Sequence, residues 1–316
     1  MNALLFPGQG SQIVGMGSEF YNNFDNVKKI FQQADNKLNF SLSKIILEGP
    51  EQDLQLTKNT QPAILTVSFS IYKVLKDEYN FNFPNFKYFA GHSLGEYSAL
   101  VSAESLNFED ALFLLYERGK AMQEAVPLGK GSMIAVLGID SLKLNDLLNN
   151  FKKNIEGVCE VANDNADGQI IISGDKKSID LFSKYLKDKK IKIIPLKVSA
   201  PFHCSLMRPA AKVMENKINS TQFVNPKIKI INNVNANETN DAAEIKKLLI
   251  DQIFSTVKWK DSIINMSKLG VQNFVEIGPG KALTGMVKRT IKEKKVNCFS
   301  INSIADIKKI INELKE

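Results

Sequence analysis

The hydrophobic positions of this 316-residue chain fall into short apolar runs separated by longer amphipathic stretches. Apolar runs at Asn2–Phe6 and 87–90 predict strands, because each run is short and nearly continuous. Apolar residues that recur every three or four positions over 61–79, 94–103 and 109–125 predict helices. Strands that alternate with helices in this way indicate a parallel sheet covered by helices.

The middle of the chain has a different order of elements. In sequence they are a strand at 132–138, a helix at 141–151, a strand at 158–163, a turn at 164–168, a strand at 169–173, a helix at 176–188 and a strand at 191–196. This β-α-β-β-α-β order is typical of the ferredoxin-like fold. The chain therefore contains a second, smaller unit with its own sheet.

After residue 196 the first pattern returns. Runs at 228–232 and Asn273–Ile277 predict strands, and Gly278-Pro279-Gly280 predicts a turn into a helix at 282–291. The last residues, 304–316, predict an amphipathic helix that caps the fold.

These patterns predict an α/β protein with two subdomains. The large subdomain, α/β-hydrolase-like with a parallel sheet, takes residues 1–127 and 197–316. The small ferredoxin-like subdomain is inserted at 128–196.

Composition is that of an ordinary globular protein, with 44% hydrophobic and 24% charged residues. No apolar run has the length of a membrane span, and the first motif begins at Phe6, so we expect neither a membrane anchor nor a leader. Cys159, Cys204 and Cys298 include no CxxC pair, which indicates reduced thiols in a cytoplasmic protein and no metal site.

The charge balance changes this picture in one respect. The formal net charge is +7, but the lysines are dispersed, so we expect solvated helix faces and neither a nucleic-acid nor a membrane partner. Only three of the 41 basic residues are arginines: Arg118, Arg208 and Arg289. Where lysine serves almost everywhere, each arginine suggests a need for its planar, two-pronged guanidinium.

The segment Gly91-His92-Ser93-Leu94-Gly95 fits the pattern G-x-S-x-G between a predicted strand and a predicted helix. In that context the pattern indicates a nucleophile elbow, a tight turn that raises a serine hydroxyl above the sheet. The start of the following helix would aim N–H groups at a developing oxyanion. Ser93 is therefore the candidate nucleophile, and an ordinary glycine-rich turn is the alternative.

A serine nucleophile needs a base, and the chain has two histidines. His92 adjoins Ser93, so we expect the turn to direct it elsewhere, which leaves His203 as the candidate. An acidic third member cannot be chosen from the sequence. The order serine then histidine also occurs in α/β-hydrolases, so an esterase stays open.

Arg118 shares a helix face with Leu114, Leu115 and Met122. That face is apolar, and an unpaired guanidinium there is costly. Arg118 therefore meets either an internal carboxylate or the carboxylate of a substrate. Beside a serine nucleophile, the second arrangement would select acyl groups that end in a carboxylate.

Several motifs then occur in the order of a known family. They are Phe6-Pro7-Gly8-Gln9-Gly10-Ser11-Gln12, Thr60-Gln61-Pro62-Ala63, Gly91-His92-Ser93-Leu94-Gly95-Glu96, Arg118-Gly119-Lys120, Met122-Gln123-Glu124-Ala125, Phe202-His203-Cys204, Asn232-Asn233-Val234 and Gly278-Pro279-Gly280-Lys281. Over residues 3–290 the chain thus resembles the malonyl-CoA:acyl carrier protein transacylases of bacterial type II fatty acid synthesis.

The resemblance implies roles at the matching positions. Ser93 is the expected acylated nucleophile, His203 its base and Arg118 the clamp for the malonyl carboxylate. The backbone N–H groups of Gln9 and Leu94 are the expected oxyanion hole. Gln252 is the residue expected to orient the histidine, through a hydrogen bond to one of its oxygen atoms. Five side chains are expected to line the cleft: His92, Gln61, Asn163, Asn165 and Phe202, the last where many relatives have a smaller residue.

The implied reaction is ping-pong transfer of malonyl from malonyl-CoA, through Ser93, to the phosphopantetheine thiol of acyl carrier protein. We expect no bound cofactor and a monomer with acyl carrier protein as its partner. The alternatives are a stand-alone polyketide malonyl acyltransferase, a thioesterase that gives the acyl group to water, and a catalytically silent carrier-protein docking module. A thioesterase would share Ser93 and His203 but would have no use for Arg118.

Overall fold

The computed structural model describes residues 1–198, 200–292 and 295–313. The strands in these ranges are β1 (Asn2–Phe6), β2 (Phe86–Gly91), β3 (Gly131–Leu137), β4 (Cys159–Ala166), β5 (Gln169–Asp175), β6 (Lys192–Pro195), β7 (Lys229–Ile231), β8 (Glu238–Thr239), β9 (Asn273–Ile277) and β10 (Asn297–Ile301). They form two separate sheets.

Helices surround both sheets. Those in the described ranges are α1 (Ser18–Asn23), α2 (Asp25–Leu38), α3 (Leu42–Leu47), α4 (Glu51–Gln55), α5 (Thr57–Asp77), α6 (Gly95–Ser102), α7 (Phe108–Glu124), α8 (Ser141–Lys152), α9 (Lys176–Asp188), α10 (Arg208–Ser220), α11 (Ala242–Gln252), α12 (Trp259–Lys268), α13 (Ala282–Thr290) and α14 (Ile304–Glu313). Each of them is either too short or too polar to cross a membrane.

The larger sheet has six strands in the order β10-β9-β1-β2-β7-β8. All neighbours are parallel except the β7–β8 pair at one edge. Its central strand β1 is apolar on both faces: Leu4 packs into the core formed with α5 and α7, whereas Ala3 and Leu5 pack with α12 and α13. Burial on both faces explains why this strand is a continuous apolar run.

The smaller sheet has four antiparallel strands in the order β4-β5-β3-β6. Ile134 and Val136 on one face of β3 pack with α8 and α9, while Met133 and Ala135 on the other face join the core of the larger subdomain. This is the ferredoxin-like arrangement, so the predicted fold class is confirmed. The boundaries at residues 128 and 196 stay predictions.

Several predicted elements needed correction. The turn predicted at 164–168 is wrong over its first half, because β4 continues to Ala166 through two irregularities in its pairing with β5. These irregularities let a polar segment remain in the strand. The helix predicted at 61–79 begins earlier, at Thr57, and contains Pro62. In the final helix Ile307 and Ile310 are buried, and residues 314–316 lie outside the described ranges.

Candidate active site

The turn around Ser93 has the geometry of a nucleophile elbow. β2 ends at Gly91 and α6 begins at Gly95, and Ser93 between them has a φ of 52°. A Cβ atom on Gly91 would lie 1.9 Å from the carbonyl group of Gly95, and one on Gly95 would lie 2.3 Å from the carbonyl oxygen of Phe6. Both glycines are therefore required by backbone contacts, and the strained φ of Ser93 is held by its surroundings.

Ser93 and His203 form a hydrogen-bonded pair. The Ser93 Oγ lies 2.8 Å from His203 Nε2, and the Nδ1 on the other side of the ring lies 2.9 Å from the main-chain oxygen of Gln252. Because a carbonyl oxygen can only accept, Nδ1 carries the proton and Nε2 is left to accept from the serine hydroxyl. The prediction that this histidine faces Ser93 agrees with the geometry.

Burial, followed by the positive charge of Arg118, lowers the pKa of His203 to about 3. The imidazole is therefore neutral at physiological pH. A neutral ring is the form that can take the proton of Ser93.

Arg118 extends from α7 into the same site and is only 1% exposed. Its Nη1 donates to Gln61 Oε1 at 2.7 Å, and its Nη2 donates to Gln252 Oε1 at 2.9 Å and to Ser93 Oγ at 3.2 Å. Its Nε has no partner among the described residues. Of the two partners that the sequence left open, an internal carboxylate is not the one found, because every acceptor here is uncharged.

Gln252, the last residue of α11, connects these groups. Its main-chain oxygen holds His203, whereas its side-chain Oε1 accepts from Arg118. Its Nε2 donates to the main-chain oxygen of Ser93 at 3.1 Å. The oxygen expected to orient the histidine is thus the main-chain one.

The Gln9 and Leu94 amides lie on two loops that touch. Gln9 follows β1 and Leu94 is the N-cap of α6. A Cβ atom on the neighbouring Gly8 would be 2.4 Å from the carbonyl oxygen of His92, so the two loops approach closely. Neither N–H group has a hydrogen-bond partner in the described part of the chain. Both donors are thus unpaired among the described residues, which the expected oxyanion hole requires.

A cleft of about 510 Å³ opens above Ser93. His203 and Arg118 line it, and so do the five side chains expected there: Gln61, His92, Asn163, Asn165 and Phe202. Leu94 and Gln252 are buried behind this surface. The ring of His92 points away from Ser93, as expected: its Nε2 is 2.8 Å from Asn165 Oδ1, on β4.

Sequence reasoning missed two residues that brace the elbow. Asn233 accepts from the Ser93 N–H at 2.7 Å and donates to the Gly91 oxygen at 2.8 Å. Glu96 is 2% exposed, and its Oε2 accepts from the Asn233 N–H at 3.1 Å and from Gln252 Nε2 at 2.8 Å. Burial raises the pKa of Glu96 to about 7, against the hydrogen bonds from Gln252 and Asn233 and the charge of Arg118. The sequence signal for Glu96 was a single charged residue on α6, whose other side chains are apolar or small.

Comparison with known proteins shows which family the chain resembles. The family described as acyl transferase domain matches residues 3–311. A malonyl CoA-acyl carrier protein transacylase of Bacillus subtilis is 42% identical, with 99% of this chain and 97% of that protein covered. One from Haemophilus influenzae is 39% identical, with 96% of each chain covered.

Solved structures agree. The acyl-carrier-protein-S-malonyltransferase from Bartonella henselae superposes with a TM-score of 0.95 at 38% identity, covering 100% of this chain and 99% of that one. A malonyl-transacylase in complex with a type II PKS acyl-carrier protein gives 0.93 at 34% identity, covering 99% of each. Because the similarity runs from end to end at about 40% identity, the chain belongs to the acyl transferase family, alongside the malonyl CoA-acyl carrier protein transacylases.

Proposed function

We propose that this enzyme transfers the malonyl group of malonyl-CoA to the phosphopantetheine thiol of acyl carrier protein through a malonyl ester on Ser93. The observation that carries the proposal is Arg118: a fully buried guanidinium, 3.2 Å from the Ser93 hydroxyl, whose acceptors are all uncharged. Such a cation favours an acyl group that brings its own carboxylate.

The first half of the reaction follows from the geometry. As Ser93 Oγ bonds to the thioester carbon, His203 Nε2 takes the hydroxyl proton across the 2.8 Å contact. The carbonyl oxygen becomes an oxyanion and accepts from the Gln9 and Leu94 N–H groups. When the carbon–sulfur bond breaks, the proton on His203 passes to the CoA sulfur. The result is free CoA thiol and malonyl-Ser93.

The second half reverses these steps. His203 takes the proton of the phosphopantetheine thiol, and the sulfur attacks the Ser93 ester. The same two N–H groups hold the second oxyanion. The proton then returns to Ser93 Oγ as the ester bond breaks.

Substrate binding also strengthens the base. Burial is the largest cause of the low pKa of His203, and the charge of Arg118 is the second. A malonyl carboxylate bound to Arg118 offsets that charge, so the pKa of His203 rises toward its ordinary value. Bound malonyl-CoA would therefore make His203 a stronger base. Acetyl-CoA has no carboxylate, so it would not raise the pKa of His203 in this way.

The acyl acceptor distinguishes this proposal from its alternatives. A thioesterase would use Ser93 and His203 in the same way but gives no reason for the position of Arg118. Complete Ser93–His203 geometry argues against a silent docking module. We propose fatty acid elongation as the destination of the malonyl group. Supply of a polyketide pathway is the second candidate, because one neighbour of the same fold was solved with a type II PKS carrier protein.

We also propose that the carrier protein docks at the mouth of the cleft. Lys197 lines that mouth, and the chain carries a net charge of +7, which would attract an acidic partner. The enzyme would work as a cytoplasmic monomer without a cofactor of its own. The free thiols of Cys159, Cys204 and Cys298 suit a reducing compartment.

The test is direct. The protein is incubated with malonyl-CoA, its intact mass is measured, and the modified residue is located by peptide mapping. Phosphopantetheinylated acyl carrier protein is then added. We expect a malonyl adduct on Ser93 that passes to the carrier thiol. Malonate released to water instead would indicate a thioesterase, and absence of any adduct would refute the proposal.

A further inference from the structure

We propose that Glu96 is a positioning residue: it fixes the side-chain amide of Gln252, and through it the Arg118 guanidinium that receives the substrate carboxylate. The inference rests on the proposed function and adds a residue to it. Glu96 does not line the cleft, so it acts through the buried groups that it contacts.

The amide of Gln252 has one orientation that satisfies its neighbours. Arg118 has only donors, so the atom facing it at 2.9 Å must be the Gln252 oxygen. On the opposite side, Glu96 Oε2 lies 2.8 Å from the Gln252 nitrogen. The amide oxygen of Gln252 thus faces the Arg118 guanidinium and its nitrogen faces the carboxyl group of Glu96, and these two contacts fix the orientation of the amide.

The amide of Gln252 keeps this orientation whether or not Glu96 carries a proton. Its Oε2 accepts from the main-chain N–H of Asn233 as well as from Gln252. A main-chain N–H is always a donor, so Oε2 is the oxygen without a proton in either state. The glutamine amide oxygen could take the same position, which makes Glu96→Gln a conservative replacement for this role.

Without Glu96 the Gln252 Nε2 loses its shortest hydrogen bond. The remaining acceptors for Gln252 Nε2 are the Ser93 oxygen at 3.1 Å and Asn233 Oδ1 at 3.3 Å. If the amide rotated, its nitrogen would face Arg118, and two donors would oppose each other in a buried site. The guanidinium would then shift, and the carboxylate subsite would lose its geometry.

The experiment compares loading of Ser93 by malonyl-CoA and by acetyl-CoA in Glu96→Ala and Glu96→Gln. Each loading rate is divided by the rate at which a serine-directed phosphonofluoridate modifies Ser93, a reaction that needs no carboxylate clamp. This corrects both rates for any damage to the nucleophile elbow. We expect Glu96→Ala to lower the malonyl-to-acetyl ratio about tenfold, the scale of one hydrogen bond to a charged group. Glu96→Gln should restore the ratio to near the wild-type value.

Two controls separate positioning from general damage. Glu276 is also a fully buried carboxylate, and it accepts from the Leu283 and Thr284 N–H groups at the start of α13. Glu276→Ala should lower thermal stability without changing the ratio. In an Arg118→Ala background, Glu96→Ala should leave the ratio unchanged, because the group through which it acts is absent.

The outcomes are distinct. An unchanged ratio in Glu96→Ala, or an equal loss in Glu276→Ala, would overturn the inference while wild-type selectivity for malonyl stands. A wild-type protein that does not prefer malonyl would instead refute the proposed function. If Glu96→Ala does not fold, Glu96→Asp replaces it: the carboxylate then falls one methylene short, and an unchanged ratio again overturns the inference.

Discussion

The two subdomains contribute to the cleft in different ways. In the large subdomain, Ser93, Arg118 and Gln252 are buried and joined by hydrogen bonds of 2.9–3.2 Å. The small subdomain brings Asn163 and Asn165 from β4, and Asn165 has one side-chain contact to the site, at His92. Groups that carry chemistry are therefore fixed from several directions, whereas the Asn165 side chain on the opposite wall is held by one hydrogen bond.

The small subdomain is attached to the large one by several polar contacts away from Ser93. β4 forms a bridge to Val257, with hydrogen bonds from the Asp164 N–H to the Val257 oxygen and from the Val257 N–H to the Ala162 oxygen. Ion pairs from Lys260 and Lys292 to Asp167 add to this attachment. The difference suggests that the large subdomain determines reactivity and the small one determines the shape of the cleft. Substitutions can test that division.

Ser93→Ala should have the largest effect. Removal of the hydroxyl removes the atom that forms the ester, so no acyl-enzyme should be detected by mass spectrometry. Ser98→Ala is the matched control, because Ser98 lies on the adjoining helix α6 with a buried hydroxyl that has no partner among the described residues. That variant should load normally. An undiminished adduct in Ser93→Ala would place the nucleophile elsewhere.

His203→Ala should follow. Loss of the base should lower kcat/KM for malonyl loading by ~10²-fold or more. His92→Ala provides the comparison, since His92 is the other histidine of the chain and contacts Asn165 instead of Ser93. Near-normal loading in His203→Ala, or a larger loss in His92→Ala, would mean that the base has been misassigned.

Arg118→Ala should change the preference for malonyl over acetyl groups. Removing a two-pronged contact to the carboxylate should lower the malonyl-to-acetyl loading ratio by ~10²-fold, which is about two hydrogen bonds to a charged group. Lysine should rescue only partly, because it offers a point charge without the fork.

The control for this prediction is Arg208→Ala. Arg208 is exposed and stacks 4.4 Å over the Phe254 ring, outside the Ser93 network. Its removal should leave the ratio unchanged. If Arg118→Ala also leaves the ratio unchanged, Arg118 has a structural role and the explanation of specificity fails.

The pH dependence of stability should distinguish carboxylates of the two subdomains. Burial raises the pKa of Glu96 from its ordinary 4.5 to about 7, so the folded state retains a proton that the unfolded chain releases. This contribution to stability is complete below pH 4.5 and is lost as pH rises toward 7. As pH rises from 4.5 to about 7, the unfolding free energy of Glu96→Gln should therefore increase by about 1–3 kcal/mol relative to that of the wild type. Urea denaturation at each pH measures this difference.

Asp175 in the small subdomain should behave with the opposite sign. Burial acts to raise its pKa, but hydrogen bonds from Ser178 and Val158 outweigh it, and the pKa falls below 3.8. Its contribution is present above pH 3.8 and is lost as pH falls through the lower folded value. Asp175→Asn should thus lose stability relative to the wild type at neutral pH and recover in acid. Equal pH profiles for the two variants would contradict the assignment.

The sequence predicted the alternation of strands and helices in both subdomains, but it left amphipathic helices such as α2 and α10 unassigned. Strand β1 was predicted from a short, continuous apolar run, and helix α7 from apolar residues at every third or fourth position. Strand β10 was missed because Asn297–Ile301 mixes polar and apolar residues and only Ile301 is buried. The short helices α1, α3 and α4 were missed because five or six residues give too little periodicity to detect.

The same limit applies to the site. The motif around Ser93 and the scarcity of histidines predicted the reactive pair, because both are local or compositional facts. The partners of Arg118 were not predictable, since Gln61 lies on another helix and Gln252 is 134 positions away. The sequence also cannot tell whether a glutamine acts through its main-chain or its side-chain oxygen. Contacts of that kind depend on tertiary packing.

Asn165→Ala should have a smaller effect on the chemistry than the substitutions in the large subdomain, although it removes the one side-chain contact of Asn165 to the elbow. The His92 ring would lose its partner at 2.8 Å, and this ring lies against Gly8, where an added Cβ atom would be 3.0 Å from Nδ1. Any shift of the ring therefore reaches the loop that presents the Gln9 N–H group. One lost hydrogen bond corresponds to about tenfold or less in kcat/KM.

The matched control for Asn165→Ala is Asn150→Ala, an exposed asparagine on α8 of the same subdomain, which should be neutral. Asn163→Ala should fall between the two, because Asn163 lines the cleft without a side-chain hydrogen bond to any described residue. The measurement is kcat/KM for malonyl loading, together with the malonyl-to-acetyl ratio. We expect the ratio to stay constant, because Arg118 is held entirely by the large subdomain. A loss in Asn165→Ala as large as that in His203→Ala would show that the small subdomain takes part in the chemistry, and the division between reactivity and shape would fail.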